Sequence, residues 1–157
     1  MAKITAWLLL ALWLTACLSQ PPELPIRSLT PSQGKTLLKN QWRLTEVVYK
    51  GVQGEFDSID PVLATFHANE LSIHACNAAS MFFKTATDPS KEYQLISGAS
   101  TAMTCDNGGT EQEYFIVRAL AETYDYELIG DTLVLFGEKA RLTFVIDNET
   151  TKPPDWT

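Results

Sequence analysis

Between Asn40 and Asp147 the chain consists of short runs rich in β-branched, aromatic and leucine residues, broken by Gly, Asn and Asp, and one stretch alone keeps a helical period. Runs this short, joined by turn residues, favour antiparallel hairpins over the long crossovers that parallel strands need. Trp42–Val48 is β-rich and alternates at its start. Val62–His67 and Leu71–Cys76 flank a turn near Asn69-Glu70, and Tyr126–Ile129 and Thr132–Phe136 flank Gly130-Asp131. Tyr93–Ile96 adds a short strand, and Arg141–Ile146 alternates with Leu142, Phe144 and Ile146 on one face.

The exception follows Asn107-Gly108-Gly109. Thr110-Glu111-Gln112-Glu113 has the form of a capping box, in which a Thr hydroxyl and a Glu carboxylate each accept from the other's backbone amide. Tyr114, Val117, Leu120, Ala121 and Tyr124 then fall on one helical stripe. A single amphipathic helix must bury its stripe against the sheet. The expected fold class is therefore α+β, with a curved, mainly antiparallel sheet packed on one helix.

The N-terminus carries a different signal. Lys3 precedes an apolar run from Ile4 to Leu14. As a helix that run rises about 16 Å, half of a ~30 Å hydrocarbon core, so it matches the apolar region of a secretory signal better than a membrane span. It ends in Leu14-Thr15-Ala16-Cys17, which resembles the lipobox of bacterial lipoproteins. The resemblance implies cleavage before Cys17, acylation of its sulfur and usually of the new amine. Several acyl chains hold a protein stably on a membrane where one does not. Leu18 stands where an Asp would resemble an inner-membrane retention signal, so the expected location is the outer membrane, facing the periplasm.

The resulting organisation is a signal peptide over 1–16, a lipidated Cys17 with a linker to 39, a body over 40–147 and a tail over 148–157. The linker holds Pro21, Pro22, Pro25 and Pro31 and is expected to be extended, standing the body tens of ångströms off the bilayer at ~3 Å per residue. The chain has 12 Lys+Arg against 19 Asp+Glu, net −7. Loss of Lys3 makes the mature protein more acidic still. Such a balance disfavours nucleic acid, whose phosphates need a basic surface, and is expected to hold the body off anionic headgroups.

Cys76 and Cys105 remain. In an oxidising compartment two thiols are usually paired, and here they would close a loop of about 29 residues, worth ~3.5 kcal/mol by chain entropy. Two buried free thiols are the alternative. A metal set of His67, His74, Cys76 and Cys105 is conceivable chemically, but lacks the close ligand pairs of zinc sites, and no metal or other cofactor is expected.

Catalytic motifs fail on inspection. Gly34-Lys35-Thr36 ends like a phosphate loop, but Leu29 stands where its first glycine belongs. Ser97-Gly98-Ala99-Ser100 is not a nucleophile elbow, and the Glu55–Asp60 loop lacks the alternating oxygens of a calcium site. The expectation is a non-enzymatic protein.

Trp42-x-Leu44, Ala75-Cys76-Asn77, Thr101-Ala102-Met103-Thr104-Cys105, the Glu111–Phe115 segment, Tyr126-x-Leu128 and Gly130-Asp131-x-Leu133-x-Leu135 occur in an order that resembles the META domain family of HslJ-type heat-shock lipoproteins, over roughly residues 41–146. The family usually has Gly where Ala75 stands, and a Gly-x-Tyr shortly afterwards. The resemblance implies an incomplete β-barrel wrapped on a helix and brings no catalytic residues. It implies an envelope role in stress or assembly, exercised through an unidentified protein or lipid partner. Asn77, Phe82, Phe83 and Asp106 are the candidate interaction residues. A hydrophobic-ligand carrier, with Phe82, Phe83 or Phe115 exposed, and a hydrolase inhibitor using the Asp106–Thr110 loop are the alternatives. If Cys76 and Cys105 are paired, neither should take up an alkylating agent in denaturant until the protein is reduced, which intact mass will show.

Overall fold

A computed structural model of the chain describes residues 24–54, 61–75, 77–101 and 109–148. The elements run α1 (Pro31–Lys39), β1 (Gln41–Tyr49), β2 (Val52–Gln53), β3 (Leu63–His67), β4 (Glu70–His74), β5 (Ala78–Lys84), β6 (Gln94–Ser100), α2 (Gly109–Ala121), β7 (Asp125–Ile129), β8 (Thr132–Phe136) and β9 (Ala140–Ile146). One antiparallel sheet has the order β6-β5-β4-β3-β1-β9-β8-β7, with β2 on β1. Its two end strands, β6 and β7, are not paired, so the sheet stays open. Helix α2 packs on β6, β9 and β1, and α1 on β3. The α+β class and the antiparallel sheet agree with expectation, but the described residues form two helices where one was expected.

β1 explains why its alternation lapses. Trp42 and Leu44 point inward, then the register with β9 shifts between Leu44 and Glu46, and Val47 is the next inward residue. One inserted residue reverses the faces of all that follow, which is what a bulge does. β5 is a strand the sequence concealed. Ala79, Met81 and Phe83 are buried while Ala78, Ser80 and Phe82 face outward, so small and aromatic residues on both faces blur the period of two. Phe66 and Phe83 lie 5.9 Å apart and stacked, and Phe83 meets Tyr93 edge-on at 5.1 Å. The buried Tyr93 hydroxyl lies 3.1 Å from Thr123 Oγ1 and 3.0 Å from the Asp125 carbonyl, fixing the chain as it leaves α2.

Two features of α2 differ from expectation. Thr110 lies inside the helix, and Glu113 Oε2 is buried with no hydrogen-bond partner among the described residues, so these two do not form a capping box. The buried face is Ile116, Ala119 and Leu120. Tyr114 is 57% exposed and Ala121 is also exposed. Apolar residues surround most of this helix, and the sheet selects the stripe of Ile116, Ala119 and Leu120 over the expected one. Tyr114 instead lies under Arg118 one turn on, 4.3 Å from ring to guanidinium. Phe115 is half-buried and meets the Tyr49 ring at 5.7 Å.

The larger correction concerns the expected linker over 17–39. Leu24 and Ile26 are 5% and 6% exposed and belong to the core. The Arg27 amide donates to the Glu92 carbonyl at 3.3 Å and the Ser28 amide to Glu92 Oε2 at 2.7 Å. Thr30 caps α1: the Gln33 amide donates to Thr30 Oγ1, the Thr30 amide donates back to Gln33 Oε1, and Pro31 occupies the first turn, where its missing N–H costs nothing. The far end is closed as well. Asn40 Nδ2 donates to the Thr36 carbonyl at 2.8 Å, and Trp42 Nε1 to the Leu37 carbonyl at 3.3 Å. A proline density that suggests extended chain is thus compatible with a capped helix when the prolines lie at or before its first position.

Leu37 is 1% exposed and Lys35 is exposed. Leu37→Ala should therefore cost about 2–5 kcal/mol in urea unfolding, while Lys35→Ala should stay within about 0.5 kcal/mol. Equal, negligible effects would mean that α1 does not belong to the folding unit.

Candidate interaction surface

The residues singled out in the sequence have different fates. Cys17, Cys76, Cys105 and Asp106 lie outside the described residues. Phe83 is 2% exposed and packed in the core, so it offers no surface. Its neighbour Phe82 is half-buried because its ring lies across Gly98 of β6, where an added Cβ would come within 2.6 Å of Phe82 Cε2. An aromatic ring covering a glycine on the adjacent strand protects backbone that the glycine leaves bare.

Asn77 is 5% exposed. Its Oδ1 accepts from Thr101 Oγ1 at 3.1 Å and its carbonyl accepts from the Ala75 amide at 2.9 Å. Ala78 and Thr101 complete the link: the Ala78 amide donates to Thr101 Oγ1 at 3.0 Å and the Thr101 amide to the Ala78 carbonyl at 2.9 Å. Asn77 therefore clamps the β4–β5 connection to the end of β6 and is not a free contact residue. Sequence periodicity could not show this, since the clamp joins side chains 24 positions apart.

The two histidines do not converge. In the β3–β4 register His74 opposes Leu63 and His67 opposes Glu70. They share a face but stand about 13 Å apart along the strands, at ~3.3 Å per residue. No cluster of His, Cys, Asp or Glu able to hold a metal occurs among the described residues.

A hollow of about 520 Å³ lies between β5, β6 and α2, with Asn77, Ser80, Thr101, Glu113, Tyr114 and Val117 in its lining, and two other surface features bear on function. A polar hollow of about 300 Å³ lies beside Thr87–Lys91 and the end of α2, with Asp88, Lys91, Glu122 and Glu138 interleaving both signs of charge. Lys91 Nζ is 4.0 Å from Asp88 Oδ2 and 4.9 Å over the Tyr124 ring, so its own neighbours already occupy it. An apolar groove of about 630 Å³ runs between the 24–30 segment and α1. Leu24, Ile26, Leu29 and Leu38 line it, with Lys35 and Lys39 at the helix side. Sequence reasoning missed the groove because it depends on α1. The missed signal was Thr30-Pro31-x-Gln33, a capping box with proline at the first position.

An open antiparallel sheet packed on one long helix, braced at one end by a short capped helix, defines a small α+β domain. The META domain family matches residues 35–149, most of the chain, and the chain belongs to that family. The match begins inside α1, in keeping with a domain that starts earlier than residue 40. Among solved structures, a protein from Burkholderia xenovorans determined by NMR has 19% identity and a TM-score of 0.56, covering 79% of this chain and 90% of that one. A duf4847 family protein from Bacteroides vulgatus has 12% identity and a TM-score of 0.48, covering 72% and 96%. No curated protein matches.

Burial, and secondarily the charge of His67, lower the pKa of His74 below its ordinary 6.5. The folded protein then binds this proton more weakly than the unfolded chain, so the contribution of His74 to stability is whole above pH 6.5 and is lost as pH falls through the depressed value. Urea midpoints should decline below pH 6.5, and His74→Gln should flatten that decline. An unchanged slope in the variant would assign the effect to another group.

Proposed function

We propose that this META domain is the body of a bacterial lipoprotein, tethered through acylated Cys17 to the outer membrane on its periplasmic side, and acting without catalysis, through contacts with an envelope protein or lipid, in stress response or assembly. The observation that carries the reading is the order Lys3, apolar run, Leu14-Thr15-Ala16-Cys17, placed seven positions before Leu24, the first core residue among the described residues. Only a thiol can form the thioether, and small residues before it admit the peptidase. The Asn77–Thr101 clamp favours a Cys76–Cys105 disulfide. It holds the neighbour of Cys76 against a residue four positions before Cys105, within a reach of about 14 Å at most.

A hydrophobic-ligand carrier is less well supported. That reading needs apolar space between sheet and helix: Trp42, Ile116, Leu120, Leu133 and Phe144 fill the centre, and the hollow of about 520 Å³ left between β5, β6 and α2 is bordered by Asn77, Ser80, Thr101 and Glu113.

Metabolic labelling with radioactive palmitate and membrane fractionation test the proposal. Label should enter the wild-type chain and not Cys17→Ser, and the variant should move from the membrane to the soluble fraction. An unlabelled wild type, or a variant that still sediments with the envelope, would overturn it.

A further inference from the structure

Resting on the lipid anchor proposed above, we infer that the groove between the 24–30 segment and α1 is a docking surface for the anionic phospholipid bilayer that carries the anchor.

The first argument is reach. Leu24 is packed in the core, so whatever path the intervening chain takes, Cys17 and Leu24 are separated by at most about 25 Å, at ~3.6 Å per residue. A folded body of this size has a radius of gyration of about 14 Å. The tether is therefore shorter than the body is wide. The end of the domain bearing Leu24 must stay near the membrane, and the groove opens at that end.

The second argument is composition. Half-buried Leu29 and Leu38, over the core residues Leu24 and Ile26 at its floor, give the groove an apolar lining. Among its lining residues the charged ones are all cations, Arg27, Lys35 and Lys39, in a chain whose total is −7. Arg27 donates to the Ala86 carbonyl and lies near Asp88, so the exposed Lys35 and Lys39 supply the outward charge. They sit at i and i+4 on one helix face, an arrangement that repels within the protein and that an anionic surface relieves. Their aliphatic stems can lie along apolar surface while the ammonium groups meet headgroup phosphates. The acidic total, expected to hold the body away, does not describe this face. Attraction of basic residues to anionic lipid and burial of apolar surface act together here, as in interfacial helices.

The third argument is geometric. α1 turns Leu37 into the core and leaves Pro31, Gly34, Lys35, Leu38 and Lys39 toward the groove. Those positions follow the 3, 4, 7, 8 spacing of a single helix face. Gly34 removes a side chain from the middle of that face.

Lysine footprinting of the acylated protein tests this. The protein is treated with a membrane-impermeant acetylating reagent in dodecyl maltoside micelles, in phosphatidylcholine vesicles, and in vesicles of phosphatidylethanolamine and phosphatidylglycerol. Lys50 and Lys139, exposed at the opposite end of β1, are internal controls. Lys35 and Lys39 should react at least fivefold more slowly in the anionic vesicles than in micelles, with the controls within twofold. Protection should be weaker in phosphatidylcholine and should fall in high salt. Equal behaviour of all four lysines overturns the inference while leaving the anchor intact. Protection that is already complete in micelles also overturns it, because another part of the chain then fills the groove. Intact mass reports acylation separately: a chain without acyl groups removes the anchor, and the docking with it.

Discussion

β1 is the strand on which both halves of the sheet depend. One of its edges is taken by β9 along nearly its whole length, and the other is divided between β3 at its start and β2 at its end. Among the described residues no other strand joins the β3–β6 side to the β7–β9 side. The bulge after Leu44 lets this strand serve two differently oriented surfaces. Before it, Trp42 is fully buried and bonded to the last turn of α1; after it, Val47 packs near Gly54, where an added Cβ would approach Val47 to 2.6 Å and Phe115 of α2 to 3.0 Å. A straight strand would send one of these sets to solvent.

That arrangement explains which parts of the fold were legible in the sequence. The hairpins β3–β4 and β7–β8 are marked by turns with local chemistry, such as Gly130 at φ 57°, and β4 and β9 alternate because each has one face in the core. β3 and β8 carry runs of buried residues, Leu63-Ala64 and Leu133-Val134-Leu135, and are legible from β-rich composition and flanking turns instead. β6 has almost no such signal beyond Leu95: Ser97, Gly98, Ala99 and Ser100 are exposed, and the strand exists because its backbone pairs with β5. The face of α2 was misread for a related reason. When apolar residues surround most of a helix, the buried stripe is chosen by the sheet, and a one-dimensional pattern does not contain the sheet.

The candidate site was legible in a different proportion. The resemblance to a lipobox at Leu14-Thr15-Ala16-Cys17, on which the proposed anchor rests, is local and is read from sequence alone. The interaction residues chosen near the middle of the chain were apolar or amide side chains in an irregular stretch, and burial reassigns them. Phe83 is core, Phe82 shields Gly98, and Asn77 holds two connections together. Side chains that look available in sequence are often consumed by satisfying backbone polar groups and covering glycine, costs that become visible only when neighbours distant in sequence are known.

The N-terminal segment ties these threads together. Counting prolines treats residues 18–39 as one extended linker, whereas hydrogen-bond accounting divides it. Where the backbone groups of 24–40 find partners, on Glu92, Thr30, Asn40 and Trp42, chain becomes domain. The difference alters function more than fold. A long linker lets a lipoprotein body sample the periplasm and makes its net charge the relevant quantity. A short one fixes which face meets the bilayer and makes the charge of that face decide, since screening confines such forces to about 8–10 Å. Under the proposed anchor, Lys35 and Lys39 would lie within that range of a membrane only if the domain is held close, and the packing of Leu24, Ile26 and Leu37 is what would hold it there.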